Sequence, residues 1–134
     1  MLEGSCLCGS VRYEADCDPG IIIHCHCQTC RKAHSAAFSS VMPIAPEAFR
    51  WTAGKDVLNR FESSPGKHRY FCTKCGSQLI AERKAANMVL LRMGCMDTEI
   101  TRKPDAHIWR SDAAPWFDPD HEIRQLPEGY EARD

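Results

Sequence analysis

The chain has 134 residues, of which 43% are hydrophobic and 26% charged, and its formal net charge is −1. These values fit one domain with a modest core and exclude the basic surface that nucleic-acid binding requires. No apolar run is long enough to span a bilayer, and residues 1–6 have neither the basic nor the apolar region of a secretory signal. We therefore expect a cytoplasmic protein with neither nucleic-acid nor membrane partners.

Short strands are predicted along most of the chain. Val11, Tyr13 and Ala15 alternate with charged residues, as in a strand that is buried on one face. Residues 28–34 contain good helix formers and no Gly or Pro, which predicts one or two helical turns with Cys30 in the first. The other strands are predicted at 21–23, 37–44, 50–52, 57–62, 68–71, 78–82 and 88–93. The fold class is therefore mainly β with one short helix.

The C-terminal part of the chain has a different composition. From Pro104 it contains four prolines together with Trp109, Trp116 and Phe117, which indicates an extended segment packed over the sheets. Residues 128–134 are charged and lack an apolar pattern, so we expect them to fray. No linker or internal repeat is visible, and the whole of 1–134 is predicted to be a single domain.

The nine cysteines are the most informative residues. Seven of them lie in three blocks, and in a reducing compartment clustered thiols indicate metal more often than disulfides. An odd total also argues against a fully paired disulfide framework. The blocks are Cys6 and Cys8, then Cys25, Cys27 and Cys30, then Cys72 and Cys75.

The two outer pairs share a glycine directly after their second cysteine, Gly9 and Gly76. Glycine permits the positive φ that a chain needs when it wraps two thiolates round one ion. Paired knuckles of this kind form closed four-cysteine sites of the structural zinc type, which contribute directly to folding. The set predicted to bind this zinc is Cys6, Cys8, Cys72 and Cys75.

The middle block then retains three thiolates, from Cys25, Cys27 and Cys30. Zinc held by three sulfurs keeps a fourth position for water or an incoming thiol, and a thiol that binds zinc loses its proton. Two alternatives stay open. A histidine could close the site, from His24, His26, His34 or His107, and the triple could share ligands with one of the pairs.

These blocks also resemble a known family. The segments GSCLCGSVRY (4–13), CHCQTCRK (25–32) and FCTKCG (71–76), with AHIW (106–109) and PW (115–116), are similar to the glutathione-dependent formaldehyde-activating enzymes, which share their domain with centromere protein V. The resemblance covers nearly the whole chain. It implies an Mss4-like fold of small antiparallel sheets joined by zinc.

The resemblance also implies a function. Cys6, Cys8, Cys72 and Cys75 would hold a structural zinc, and Cys25, Cys27 and Cys30 a catalytic zinc, so two zinc ions would bind per chain. The activity would be that of a carbon–sulfur lyase that condenses glutathione with formaldehyde to S-hydroxymethylglutathione. Two other hypotheses stay open: a related enzyme for another thiol or carbonyl compound, and a non-catalytic binding module with two structural zincs.

Overall fold

The computed structural model describes residues 1–129 of the chain. They form two β-sheets and one α-helix, α1, at Gln28–His34. The first sheet has three antiparallel strands in the order β1-β2-β5. These strands are β1 (Leu2–Ser5), β2 (Arg12–Ala15) and β5 (Phe49–Ala53).

The second sheet has seven strands in the order β10-β3-β4-β9-β8-β7-β6. Its neighbours are antiparallel except for β10, which runs parallel to β3. The strands are β3 (Ile23–Cys25), β4 (Ser39–Ile44), β6 (Leu58–Ser64), β7 (Lys67–Cys72), β8 (Gln78–Arg83), β9 (Met88–Arg92) and β10 (Ala106–Ile108).

The predicted mainly β class with one helix is confirmed, and α1 has the predicted bounds. The larger sheet is antiparallel as expected except at one edge, where the short C-terminal strand β10 pairs in parallel with β3. Pro43 lies inside β4. Strands β1 and β10 were not predicted, because β1 contains Gly4, which weakens a strand pattern, and all three residues of β10 are exposed.

The main core lies between the two sheets. Val11, Tyr13 and Ala15 are buried, as their alternation predicts, and they belong to one cluster with Met42 and Leu91 of the larger sheet. The opposite face of that sheet has a smaller apolar cluster of Val41, Ala81 and Leu90. A cavity lies on this second face, beside the end of β3.

Residues 128–134 are predicted to fray, but residues 130–134 lie outside the described part of the chain. Within residues 1–129, none of the helices combines the length and the apolar character needed to cross a membrane.

Candidate metal centres and active site

The outer cysteine pairs meet at one point. The sulfurs of Cys6, Cys8, Cys72 and Cys75 all lie within 4.8 Å of one another. The Sγ of Cys8 is 3.6 Å from that of Cys6 and 3.8 Å from that of Cys72. A zinc ion with four sulfurs at about 2.3 Å has sulfur–sulfur edges of about 3.8 Å, so this four-cysteine cluster fits a tetrahedral metal site.

The backbone explains why these sulfurs converge. Gly9 and Gly76 both have φ of +79°, the left-handed conformation that glycine adopts without strain. The turns are closed by backbone hydrogen bonds, from the Gly9 N–H to the Cys6 carbonyl (3.0 Å) and from the Gly76 N–H to the Cys72 carbonyl (2.8 Å). The Val11 N–H also donates to the Cys6 Sγ (3.3 Å). The predicted role of the two glycines is confirmed.

The middle block forms a second group, the three-cysteine cluster. The sulfurs of Cys25, Cys27 and Cys30 lie within 4.8 Å of one another. Cys25 ends β3, Cys27 is the N-cap of α1, and the Cys30 N–H donates to the Cys27 Sγ (3.3 Å). Hydrogen bonds from Cys25 and from Arg69 Nη2, the latter at 3.7 Å, lower the pKa of Cys30 well below its usual range. These contacts favour a thiolate at Cys30.

Histidine does not complete the three-cysteine cluster in the described part of the chain. His26 is buried, and its Nε2 lies 2.7 Å from the His107 Nδ1. The Nδ1 of His24 lies 2.8 Å from the Ser40 Oγ. No histidine, and no sulfur of the outer pairs, joins the group. The seven sulfurs thus separate as four and three, and a tetrahedral ion bound by the three would have a fourth position that no described histidine fills.

The three-cysteine cluster opens on a cavity of about 680 Å³. The cavity lies on one face of the larger sheet, because its lining residues alternate along four strands: 23 and 25, then 39, 41 and 43, then 88, 90 and 92, then 67 and 69. Residues 28–30 of α1 cover the end nearest the sulfurs. Its size is within the usual range for small-molecule sites.

Four cationic side chains line this cavity, and Asp112 is the single carboxylate on the wall formed by the described residues. Arg69 and Arg92 are only 3% and 4% exposed. Lys67 and Arg83 face each other across β7 and β8. The sequence analysis missed this group, because its members are scattered over 26 positions. The only sequence signal for Arg92 was a charged residue at the end of the apolar strand β9, directly before Met93.

The C-terminal segment forms the remaining wall of the cavity through Ile108, Trp109 and Asp112. The Ile108 carbonyl accepts a hydrogen bond from the His26 N–H (3.0 Å). The Asp105 carboxylate accepts one from the Ile22 N–H (2.9 Å). These bonds attach the segment directly to β3 and the cysteine-bearing turn.

Aromatic contacts reinforce this attachment. His26 and His107 pack with Phe38 and Phe117 in a group of rings whose centroids are 4.9–6.1 Å apart. The histidines that flank the cysteines therefore have structural contacts, as expected for hydrogen-bonded residues beside a site.

The other singled-out residues lie outside the two clusters. Cys17 and Cys95 are free, half-buried thiols, and the Cys95 Sγ donates to the Gln78 carbonyl (3.3 Å). Trp109 is 59% exposed and lines the cavity, whereas Trp116 is 71% exposed and does not. Trp109 therefore belongs to the cavity wall, whereas Trp116 does not.

Each cysteine group could hold a metal ion, and all-sulfur donor sets favour zinc or iron over hard cations. The four-cysteine cluster can close a tetrahedral site. The three-cysteine cluster would leave a position open toward the cavity, where an activated thiol can meet a small reactant. The assignment of structural and catalytic roles stays a prediction.

Comparison with known proteins agrees with this organisation. A Halomonas elongata protein named "Putative glutathione-dependent formaldehyde-activating enzyme" is 24% identical over 127 residues, covering 88% of this chain and 80% of its own length. An uncharacterized lyase of Schizosaccharomyces pombe is 32% identical over 77 residues, which cover 58% of this chain and 54% of that protein.

A solved structure shows a similar fold. The crystal structure of a Rhodobacter sphaeroides protein matches with a TM-score of 0.66 at 18% identity, over 78% of this chain and 98% of the other. The model of the family described as glutathione-dependent formaldehyde-activating enzyme matches residues 1–112, a span that includes all seven clustered cysteines and the four cavity cations. The chain belongs to the glutathione-dependent formaldehyde-activating enzyme family.

Proposed function

We propose that this protein is a zinc-dependent carbon–sulfur lyase that joins glutathione to formaldehyde and gives S-hydroxymethylglutathione. The main supporting observation is the three-cysteine cluster, which opens on a cavity of about 680 Å³ lined by four cations. Cys25, Cys27 and Cys30 would hold the catalytic zinc, and Cys6, Cys8, Cys72 and Cys75 the structural one. Family membership supports the named pair of reactants.

The reaction adds a thiol across a carbonyl group. A sulfur–carbon bond forms, the carbonyl π bond breaks, the thiol releases one proton and the new hydroxyl oxygen takes up one, so no oxidant or reductant is needed. A zinc ion held by Cys25, Cys27 and Cys30 would lower the pKa of a thiol bound at its fourth position and so favour the thiolate. The cavity holds the two small reactants together, which lowers the entropic part of the barrier.

The cavity cations support an acidic thiol as substrate. Glutathione has two carboxylates, and Lys67 and Arg83 lie on the cavity wall without an acidic partner within 4 Å in residues 1–129. Lysine and arginine are the usual partners of carboxylates, and arginine can bind them in a bidentate manner. We assign these two residues to the carboxylates of the thiol.

The test is exchange NMR on glutathione and labelled formaldehyde, which also react without a catalyst. The zinc-loaded wild type is compared with Cys27→Ser and with Cys17→Ser, which removes a thiol outside both clusters. We expect acceleration by the wild type and by Cys17→Ser, and a loss of at least about 100-fold with Cys27→Ser. Equal rates with and without the zinc-loaded wild type would contradict the proposed activity and favour a binding module.

A further inference from the structure

Two arginines beside the three-cysteine cluster are buried without a carboxylate partner. Arg69 and Arg92 are 3% and 4% exposed, and neither forms an ion pair with an acid in residues 1–129. Arg69 Nε donates to the Ser63 Oγ (2.9 Å), but Arg69 Nη1, Arg92 Nε and Arg92 Nη2 are buried without any hydrogen-bond partner. An uncompensated buried charge is strongly destabilising, so these guanidiniums need an anion.

Among the described residues that line the cavity, only Asp112 is acidic, and it forms no ion pair with Arg69 or Arg92. Burial, together with repulsion from Arg69, lowers the pKa of Arg92 to about 10. Arg92 therefore keeps its proton at neutral pH. Burial and the two guanidiniums lower the pKa of His34 to about 4, so this histidine is neutral. Lys67 adds a further positive charge. The anion must come from the sulfurs or from a ligand.

The negative charge of the sulfurs offsets only part of the positive charge of the two guanidiniums. Arg69 Nη2 donates to the Cys30 Sγ (3.7 Å), and Arg92 lines the same cavity as all three cysteines. A divalent ion bound by three thiolates has one net negative charge, whereas the two guanidiniums have two positive charges. One positive charge is left over before Lys67 is counted, and an anionic fourth ligand would offset it.

We propose that Arg69 and Arg92 are positioning residues that make the open fourth position of the three-cysteine centre selective for an anion. This inference rests on the proposed function, because it needs a metal at these cysteines, and it specifies the ligand class. The fourth position takes a thiolate in preference to a neutral donor such as water or imidazole. A thiol that binds there leaves its proton to the solvent.

The probe is protein loaded with Co²⁺ at both cysteine sites, with the visible bands of Co²⁺ as readout. Thiocyanate represents an anionic fourth ligand and imidazole a neutral one, and both are titrated into the wild type, Arg92→Met and Arg92→Lys. Arg60→Met is the matched control, because Arg60 is an exposed cation on β6 that bonds to Tyr70 outside the cavity. The unchanged bands of the four-cysteine site report that each variant is folded.

We expect Arg92→Met to weaken thiocyanate binding about tenfold or more and to leave imidazole binding unchanged, since only the anion loses a Coulombic attraction. Arg92→Lys should restore most of the preference, and Arg60→Met should match the wild type. Equal thiocyanate affinities in the wild type and Arg92→Met would overturn the inference. Equal weakening of both ligands would overturn it too, because it would show that Arg92 only shapes the site.

The two proposals can fail separately. Selective thiocyanate binding in a protein that does not accelerate the glutathione–formaldehyde reaction would remove the proposed substrates and keep the selectivity. Acceleration by the wild type, with thiocyanate affinity that does not depend on Arg92, would keep the proposed function and remove the role of the arginines.

Discussion

The two cysteine clusters differ in how the chain supplies their sulfurs. The four-cysteine cluster joins Cys8 to Cys72, which are 64 positions apart, so an ion there closes a long loop between the two sheets. The three-cysteine cluster comes from six consecutive residues, at the end of β3 and the start of α1. The first ion would be a cross-link, whereas the second would occupy a turn that backbone hydrogen bonds already hold.

Their surroundings differ in the same sense. Glycines in left-handed turns shape the four-cysteine cluster, and none of its cysteines lines the cavity. The three-cysteine cluster lies on the cavity wall beside Arg69 and Arg92. A closed site needs tight turns that bring four ligands together, whereas a reactive site needs an open position and a charged wall. This contrast predicts that the two clusters respond differently to matched changes.

The largest expected effect is on folding. Cys8 is exposed, so Cys8→Ser removes a ligand without leaving a core cavity. Structural zinc sites contribute about 10–16 kcal/mol at pH 7, comparable to the whole stability of a domain. We expect Cys8→Ser to abolish cooperative unfolding or to lower Tm by more than about 10 °C.

Cys27→Ser is the matched variant in the other cluster. Serine is a favoured N-cap and can still accept the bond from the Cys30 N–H, so the helix start is retained while a metal ligand is lost. We expect Tm to fall by less than about 5 °C, with one equivalent less zinc. Circular dichroism melts and zinc analysis check both variants, and equal losses of stability would contradict the division of roles.

A smaller loss of stability is expected when the pH falls, and it should arise at His34, which lies on the same helix as Cys30. Burial lowers the pKa of His34 from 6.5 to about 4 in the folded protein. The unfolded chain therefore binds more protons between these values, so this histidine's contribution is complete above pH 6.5 and is lost as pH falls toward 4. We expect His34→Gln to make the decrease of Tm across this interval shallower than in the wild type.

Acid also protonates cysteine ligands, so zinc release must be followed in the same samples. Both proteins keep all seven clustered cysteines, and the difference between them isolates His34. If Tm depended on pH in the same way in the wild type and His34→Gln, protonation of this histidine would not contribute to the loss of stability in acid.

The sequence predicts the fold well where burial repeats at short intervals. Val11, Tyr13 and Ala15 alternate, and each is buried. Helix α1 was predicted at its observed bounds because no glycine or proline interrupts it. Strand β10 could not be predicted, because its three residues are exposed and its position depends on parallel pairing with β3, a contact across more than 80 positions.

The site was predictable in its metal ligands but not in its charge. Cysteines within each block are at most five positions apart, so the sequence alone indicates that the sulfurs of one block lie close together. Arg69 and Arg92 meet at the cavity only because β7, β8 and β9 are adjacent in the sheet. Arg31 and Lys32 are the cations nearest the thiols in sequence, but they do not line the cavity. Cross-strand geometry brings in Arg69 and Arg92 instead.

The smallest predicted effect concerns backbone strain at the four-cysteine cluster. Gly76 has φ of +79°, and a Cβ added there would meet nothing within 4 Å. Gly76→Ala therefore causes no collision, and its effect is the cost of a left-handed backbone, about 1 kcal/mol. Gly94→Ala is the control, because Gly94 has equal space and no left-handed φ. Urea unfolding of the zinc-loaded proteins should show a loss of stability for Gly76→Ala alone. If Gly94→Ala lost as much, the strain would not be specific to the turn that closes the four-cysteine cluster.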